Sequence, residues 1–92
     1  MAEKEVVKAL ILLKLFRKGK IGGAHTDLRN ASKGIKEDSK IVNKAIEELN
    51  KESLLLGKKS TGEIHVSLNP RQIGEIKEYI KKYLDIDVGM LG

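Results

Sequence analysis

The chain has 92 residues, of which 40% are apolar and 34% charged. This length fits one small domain, and this composition excludes collagen-like, low-complexity and wholly disordered chains. The absence of cysteine excludes disulfides, thiolate metal sites and cysteine nucleophiles, and it is typical of cytoplasmic proteins. The most apolar run, residues 9–13, is far shorter than the roughly 20 residues that span a bilayer. We therefore expect a cytoplasmic protein with no secretion signal and no membrane span.

The formal net charge of +5 is concentrated in the first part of the chain. Residues 1–36 carry nine basic and three acidic residues, whereas residues 37–92 carry nine basic and ten acidic ones. A basic surface permits a polyanionic partner such as nucleic acid, although many Lys/Glu-rich proteins carry this balance without one. The excess of Lys, Glu and Ile also resembles the composition of proteins from heat-adapted organisms.

The first third of the chain predicts two helices of unequal length. Apolar residues that cover more than one side of a helix predict helix 1 over about residues 3–18, and Gly19 is a suitable C′ residue. A loop over residues 20–25 follows. Thr26 is then predicted to cap a short helix 2 that ends near Ser32.

A third, amphipathic helix is predicted to begin at Asp38 or Ser39 and to end near Glu52. Its apolar positions recur at the spacing of one helix face, which indicates a helix packed on a core. The apolar positions are Ile41, Val42, Ala45, Ile46 and Leu49.

The pattern then becomes alternating and predicts a two-stranded hairpin up to Leu68, with Ile64 and Val66 also facing the helices. Asn69 is predicted to cap a fourth helix that ends near residue 84. Pro70 occupies its first position and Gln72 makes a capping-box contact. Residues 85–92 form a tail, either a frayed end or a strand added to a partner.

This order of elements predicts an α+β, mostly helical fold, the winged helix-turn-helix. It has a three-helix core, a two-stranded β-hairpin wing and a C-terminal helix. A hairpin is marginally stable alone, so the wing must pack on the helices. We therefore expect one winged-helix domain over residues 1–92, with a core over about residues 3–84.

Two short motifs carry a family resemblance. The pair His25–Thr26 precedes helix 2, and the run His65–Val66–Ser67–Leu68–Asn69–Pro70 covers the last strand and the helix cap. Over about residues 19–84 the chain resembles a little-characterised family of small archaeal winged-helix proteins. Such proteins commonly have Gly where helix 3 meets the hairpin, and Ser53 stands there instead. The resemblance implies binding of double-stranded DNA and transcriptional regulation, and it implies no reaction.

A DNA-binding winged helix would place the first turns of helix 3 in the major groove and the wing on the backbone or minor groove. Basic residues around helix 2 would hold phosphates, and Lys18 and Lys20 extend that cluster. The candidate residues are Ser39, Lys40, Asn43 and Lys44 on helix 3, Arg29, Lys33 and Lys36 around helix 2, and Lys58, Lys59, Ser60 and Thr61 on the wing.

Each of these groups also has an ordinary structural explanation. The helix 3 residues form the solvent-exposed face of any amphipathic helix, and a charged hairpin tip keeps a protein soluble. Residues 37–52 moreover hold five acidic residues against three lysines, which opposes DNA binding.

No pattern in the sequence predicts catalysis, a cofactor or a bound metal. His25 and His65 are forty residues apart, and no carboxylate or cysteine stands at ligand spacing to either. We expect a loop hydrogen bond for His25 and an outward strand position for His65. Acidic pairs such as Asp85 and Asp87 lack a nearby nucleophile or metal ligand, so we expect no enzyme.

A homodimer is expected because helix 1 is too apolar all round for one small core, and because helix 4 and the tail carry further apolar positions. Two-fold symmetry would require a palindromic DNA site. Two alternatives remain open at this point. One is a winged helix that binds a protein partner, which the acidic balance of residues 37–52 favours. The other is a module that binds RNA or the ribosome through a basic surface.

Overall fold

The computed structural model describes residues 4–60 and 63–88, and for residues 58–60 and 63 it describes the backbone alone. The described chain forms four α-helices and one three-stranded antiparallel sheet, which confirms the α+β, mostly helical class. In chain order the elements are α1 (Lys4–Arg17), β1 (Thr26–Asp27), α2 (Leu28–Ser32), α3 (Ser39–Lys51), β2 (Leu55–Ser60), β3 (Glu63–Leu68), a 3-10 turn (Pro70–Gln72) and α4 (Ile73–Leu84).

The helix α1 ends just before Gly19, as the sequence predicts. Gly19 has a φ of +66°, and the N–H of Lys20 donates to the carbonyl of Leu15 at 2.9 Å. The N–H of Gly19 donates to the carbonyl of Phe16 at 3.1 Å. These two bonds form a Schellman motif, which satisfies carbonyls that the helix end leaves without partners.

The end of α3 has the same geometry without a glycine. Ser53 has a φ of +63°, its N–H donates to Asn50, and the N–H of Leu54 donates to Leu49 at 3.0 Å. Ser53 therefore stands in a left-handed conformation that favours glycine.

A third strand, β1, was not predicted. The sheet order is β1–β3–β2, with Thr26 opposite Val66 and Asp27 opposite His65. The prediction that Thr26 caps α2 was wrong, because Thr26 pairs with β3. Asp27 is the cap, and its carboxylate accepts the N–H of Asn30 at 2.7 Å. The sheet is therefore three-stranded, and the predicted two-stranded wing forms only part of it.

The hairpin of β2 and β3 follows the predicted alternation only in part, because the polar residue Ser67 is buried as well, at 2% exposed. Val66 and Leu68 are buried against the helices. Ile64 lies on the same face but is 40% exposed, so the expectation that it packs on the helices was wrong for this residue. The hairpin extends past the helical layer at this end.

The start of the last helical segment matches the prediction at Asn69 and Pro70. The side chain of Asn69 accepts the N–H of Arg71 at 3.0 Å, and Pro70 opens the turn. The segment begins as a 3-10 turn, and Gln72 makes no side-chain cap hydrogen bond there.

The core surrounds α1, which packs against α3 and α4. Its apolar residues Val7, Ile11, Leu12 and Leu15 are fully buried within the single chain. This burial removes the argument from helix 1 for a dimer. Val88 is also buried, so the core continues past residue 84 into the predicted tail. Within the described part of the chain, no helix is both long and apolar enough to cross a membrane.

Candidate nucleic-acid interface

The exposed side of α3 carries the predicted helix residues. Its opposite side packs into the core through the buried residues Val42, Ala45, Ile46 and Leu49. This amphipathic division leaves four polar side chains exposed near the helix start. We call them the reading face: Ser39, Lys40, Asn43 and Lys44.

Two of the five acidic residues in this region, Glu48 and Glu52, pair with lysines of α1, whereas Asp38 is exposed at the start of the reading face. Asp38 caps α3, where its carboxylate accepts the N–H of Lys40 at 2.8 Å. Glu48 forms an ion pair with Lys4 of α1, and Glu52 accepts a hydrogen bond from Lys8, which also belongs to α1.

These contacts mean that part of the negative charge of residues 37–52 is offset by lysines of α1. Glu48 and Glu52 belong to the contact between α1 and α3, where cations offset them. The pKa of Glu48 lies below its usual value, first because of its hydrogen bond to Lys4. Glu47 remains on the exposed side, 3.6 Å from Lys51.

A groove separates α3 from the hairpin. It has a volume of about 400 Å³ and is lined mainly by apolar side chains, including Ile46, Leu55 and Ile64. Polar residues of α3, Asn43 and Glu47 among them, form one wall. We call this the hairpin groove. It places exposed apolar surface directly beside the reading face.

The predicted wing residues lie at the end of the hairpin. Lys58, Lys59 and Ser60 belong to β2, and their backbones pair with His65, Ile64 and Glu63. The side chains of these three wing residues, and the whole of Thr61, lie outside the described part of the structure.

The predicted phosphate contacts are exposed but do not form one cluster. Lys33 and Lys36 line a second cavity, of about 520 Å³, between α1 and the segment that links α2 to α3. Arg29 is exposed on α2 and does not line this cavity. The structure instead brings Lys14, Arg17 and Lys18 of α1 next to Lys33 and Lys36. We call this cavity the basic pocket.

Lys14 and Arg17 were missed as site residues in the sequence. Arg17 fits a favourable helix C terminus, which is sufficient reason for a basic residue there. Lys14 donates a hydrogen bond to the backbone carbonyl of Lys33. The pKa of Lys14 is lowered by partial burial and then by the charges of Lys18 and Lys33. The basic pocket is therefore a region of concentrated positive charge.

The two histidines meet in space. The Nδ1 atoms of His25 and His65 lie 3.0 Å apart, and the rings are edge to face. The pairing of β1 with β3 causes this contact, which also brings the two motifs of the family resemblance side by side. Among the described residues, no group of three or more metal-ligating side chains converges. A pairing across forty residues leaves no local signal in a sequence.

No protein-family model, curated protein or solved structure matches the chain.

Proposed function

We propose that this chain is a cytoplasmic winged-helix protein that binds double-stranded DNA and regulates transcription. The reading face of α3 would enter the major groove, and the hairpin would contact the backbone or minor groove. The observation that carries this proposal is the exposed polar face of α3, on which the carboxylates of Asp38 and Glu47 also remain. Glu48 and Glu52 are engaged by lysines of α1, while Lys40, Asn43 and Lys44 stay exposed.

The topology supports a winged helix. A short strand between the first two helices joins a C-terminal hairpin as its third strand, and α3 lies next to that hairpin. This arrangement leaves one face of α3 uncovered beside a projecting hairpin. The two motifs that resemble archaeal winged-helix proteins form the contact that joins β1 to β3. A fold alone does not assign a function, so the DNA proposal depends on the reading face.

The basic residues supply the non-specific part of the proposed binding. Lys33 and Lys36 stand on the segment that leads into α3, where cations can contact phosphates beside the groove. Arg29 on α2 and Lys58 and Lys59 on β2 complete the proposed contacts, with Ser60 and Thr61 as hydroxyl donors.

Fluorescence anisotropy with labelled duplex DNA of random sequence tests this proposal. We expect salt-sensitive binding at micromolar protein, because phosphate contacts release counterions. Single-stranded DNA and duplex RNA of the same length are the controls. Equal or tighter binding to duplex RNA would replace the DNA proposal with the RNA-binding alternative.

A second candidate function, binding of a protein partner, is favoured by the hairpin groove. Ile64 and Leu56 are the large apolar side chains that stay exposed in the described chain, and Ile64 lines this groove beside Glu47. Exposed apolar surface next to a carboxylate suits a protein better than a phosphate backbone. Absence of duplex binding at low salt would favour this candidate.

The homodimer remains a prediction. The apolar surface of α1 no longer supports it, because the single chain buries that surface. Sedimentation at micromolar concentration measures the mass directly. A dimeric mass would predict a palindromic DNA site, and a monomeric mass would remove that expectation.

A further inference from the structure

The basic pocket combines an apolar floor with a cationic rim. The floor consists of Leu10, Leu13 and Ile35, of which Leu10 and Ile35 are partly exposed. One carboxylate, that of Glu37, lines the pocket together with five basic residues. The basic residues are Lys14, Arg17 and Lys18 from α1, and Lys33 and Lys36 from the segment before α3.

The cations of the rim are held close to one another by the fold. Lys14 is tied to the backbone of Lys33, and its ammonium group has further N–H donors beyond that bond. Its lowered pKa reflects partial burial and the unfavourable proximity of Lys18 and Lys33. An anion in the pocket would relieve this repulsion, so the pocket is complementary to negative charge.

The floor distinguishes between kinds of anion. Inorganic phosphate and the backbone of a nucleic acid have no apolar body to cover Leu10 and Ile35. A ligand that covers them gains from the removal of apolar surface from water, in addition to its charge interaction. The cavity volume of about 520 Å³ lies within the range of small-molecule sites.

We infer that the basic pocket binds a small organic anion whose apolar body lies on Leu10, Leu13 and Ile35. Its anionic group contacts the cationic rim, with Arg17 able to bind a carboxylate or phosphate in a bidentate manner. Lys33 and Lys36 also belong to the proposed DNA contacts. If the proposed function holds, the bound anion therefore competes with duplex DNA.

Titration of the isotope-labelled full chain with naphthoate, followed by two-dimensional NMR spectra, tests the pocket without DNA. We expect saturable shifts at residues 10–18 and 33–37. Two matched probes separate the contributions, namely naphthalenemethanol with the same apolar body and inorganic phosphate with charge alone. Both should bind at least about tenfold more weakly than naphthoate, because each lacks one half of the interaction.

Two charge reversals complete the test. Arg17→Glu should weaken naphthoate binding about tenfold or more, since it replaces a charge-assisted contact with repulsion. Lys81→Glu is the matched control, on an exposed position of α4 that does not line the pocket, and should change affinity less than about twofold. Equal losses in both variants, shifts spread over the whole chain, or phosphate binding as tight as naphthoate would overturn the inference.

Competition with DNA is measured separately. Addition of naphthoate to a preformed duplex complex should lower the anisotropy in the wild type and have a smaller effect in Arg17→Glu. Saturable naphthoate binding with no duplex binding would leave the pocket established and refute the DNA function. Duplex binding without naphthoate binding would support the DNA function and overturn the inference about the pocket.

Discussion

Lys8 on α1 donates a hydrogen bond to Glu52, the residue that caps the C terminus of α3. Lys8 is 4% exposed, lies 3.7 Å from Glu48 and stands over the ring of Tyr79, 5.4 Å from its centroid. One buried ammonium group therefore connects three helices. Because it also holds two acidic residues of α3 on the side of α1, the same cluster keeps the reading face of α3 free of those carboxylates.

The Lys8 cluster predicts a loss of stability at alkaline pH. Burial lowers the pKa of Lys8, but the hydrogen bond to Glu52 and the nearby Tyr79 outweigh it, so the pKa lies above its usual 10.5. Burial raises the pKa of Tyr79 above 10.0, despite the opposing charge of Lys8. Both native pKa values exceed those of the unfolded chain. The stabilisation is therefore complete below about pH 10 and is lost as pH rises through the raised values.

Thermal unfolding of the wild type and of Tyr79→Phe between neutral and alkaline pH measures this loss. Tyr79→Phe should retain the fold, because it removes one hydroxyl and keeps the packed ring. The variant lacks both the titrating phenol and the Tyr79 charge that raises the pKa of Lys8, so its midpoint should fall less steeply above pH 10 than that of the wild type. The lowered pKa of Lys14 has the opposite effect on the pH dependence of stability, because the native state loses this proton before the unfolded chain does. Lys14 is present in both proteins, so its effect cancels in the comparison. Parallel curves for the two proteins would contradict the assignment.

Ser53→Gly should stabilise the protein. Ser53 has a φ of +63°, in a region where a Cβ atom is disfavoured, and glycine removes this strain. The gain is reduced by the greater freedom of glycine in the unfolded chain, so we expect about 0.5–1 kcal/mol. Chemical denaturation measures it. Lys44→Gly, at an exposed position inside α3, is the control and should destabilise. A loss of stability in Ser53→Gly would refute the strain argument.

Two residues on the same face of β3 should respond differently to truncation. Val66 is 1% exposed and Ile64 is 40% exposed. Val66→Ala should lower the free energy of unfolding by about 1–3 kcal/mol because it leaves a cavity, whereas Ile64→Ala should cost less than about 1 kcal/mol despite its larger change in size. Denaturant titration of both variants decides this. A greater loss in Ile64→Ala would mean that the end of the hairpin is covered.

The reading face and the cations before α3 should have separable effects on DNA binding. Asn43→Ala and Lys44→Ala should reduce affinity for a selected site more than for random duplex, because both stand where base edges would be read. Lys33→Ala should weaken both duplexes alike. Competition of selected against random duplex in anisotropy measures the ratio. An unchanged ratio in Asn43→Ala and Lys44→Ala would move recognition away from α3.

Local signals in the sequence predicted most of the helices and the hairpin. Gly19, Asp38 and Asn69 act within one turn of their own positions, and the spacing of apolar residues in α3 depends on the helix alone. The strand β1 could not be predicted in this way, because Thr26 and Asp27 become a strand only through pairing with Val66 and His65, far along the chain.

In the candidate site, too, local features could be predicted from the sequence and features that depend on tertiary packing could not. The reading face follows from the helical period of α3, and its residues are exposed as predicted. The basic pocket requires the packing of α1 against the segment before α3, so Lys14 and Arg17 could not be assigned to it. The pairing of Glu48 and Glu52 with α1 is likewise tertiary. The net charge of residues 37–52 therefore does not distinguish the carboxylates that pair with α1 from those that stay exposed near the reading face, Asp38 and Glu47.

The salt dependence of duplex binding addresses the proposed DNA function without knowledge of the target sequence. The logarithm of the binding constant should fall linearly with the logarithm of salt concentration, with a slope of about −0.9 per neutralised phosphate. Lys33→Gln with Lys36→Gln should reduce the magnitude of this slope by about two, while Lys77→Gln with Lys81→Gln on α4 should leave it unchanged. No duplex binding at low salt would contradict the proposed DNA function. A slope that neither pair of substitutions alters would contradict the proposal that Lys33 and Lys36 contact DNA phosphates.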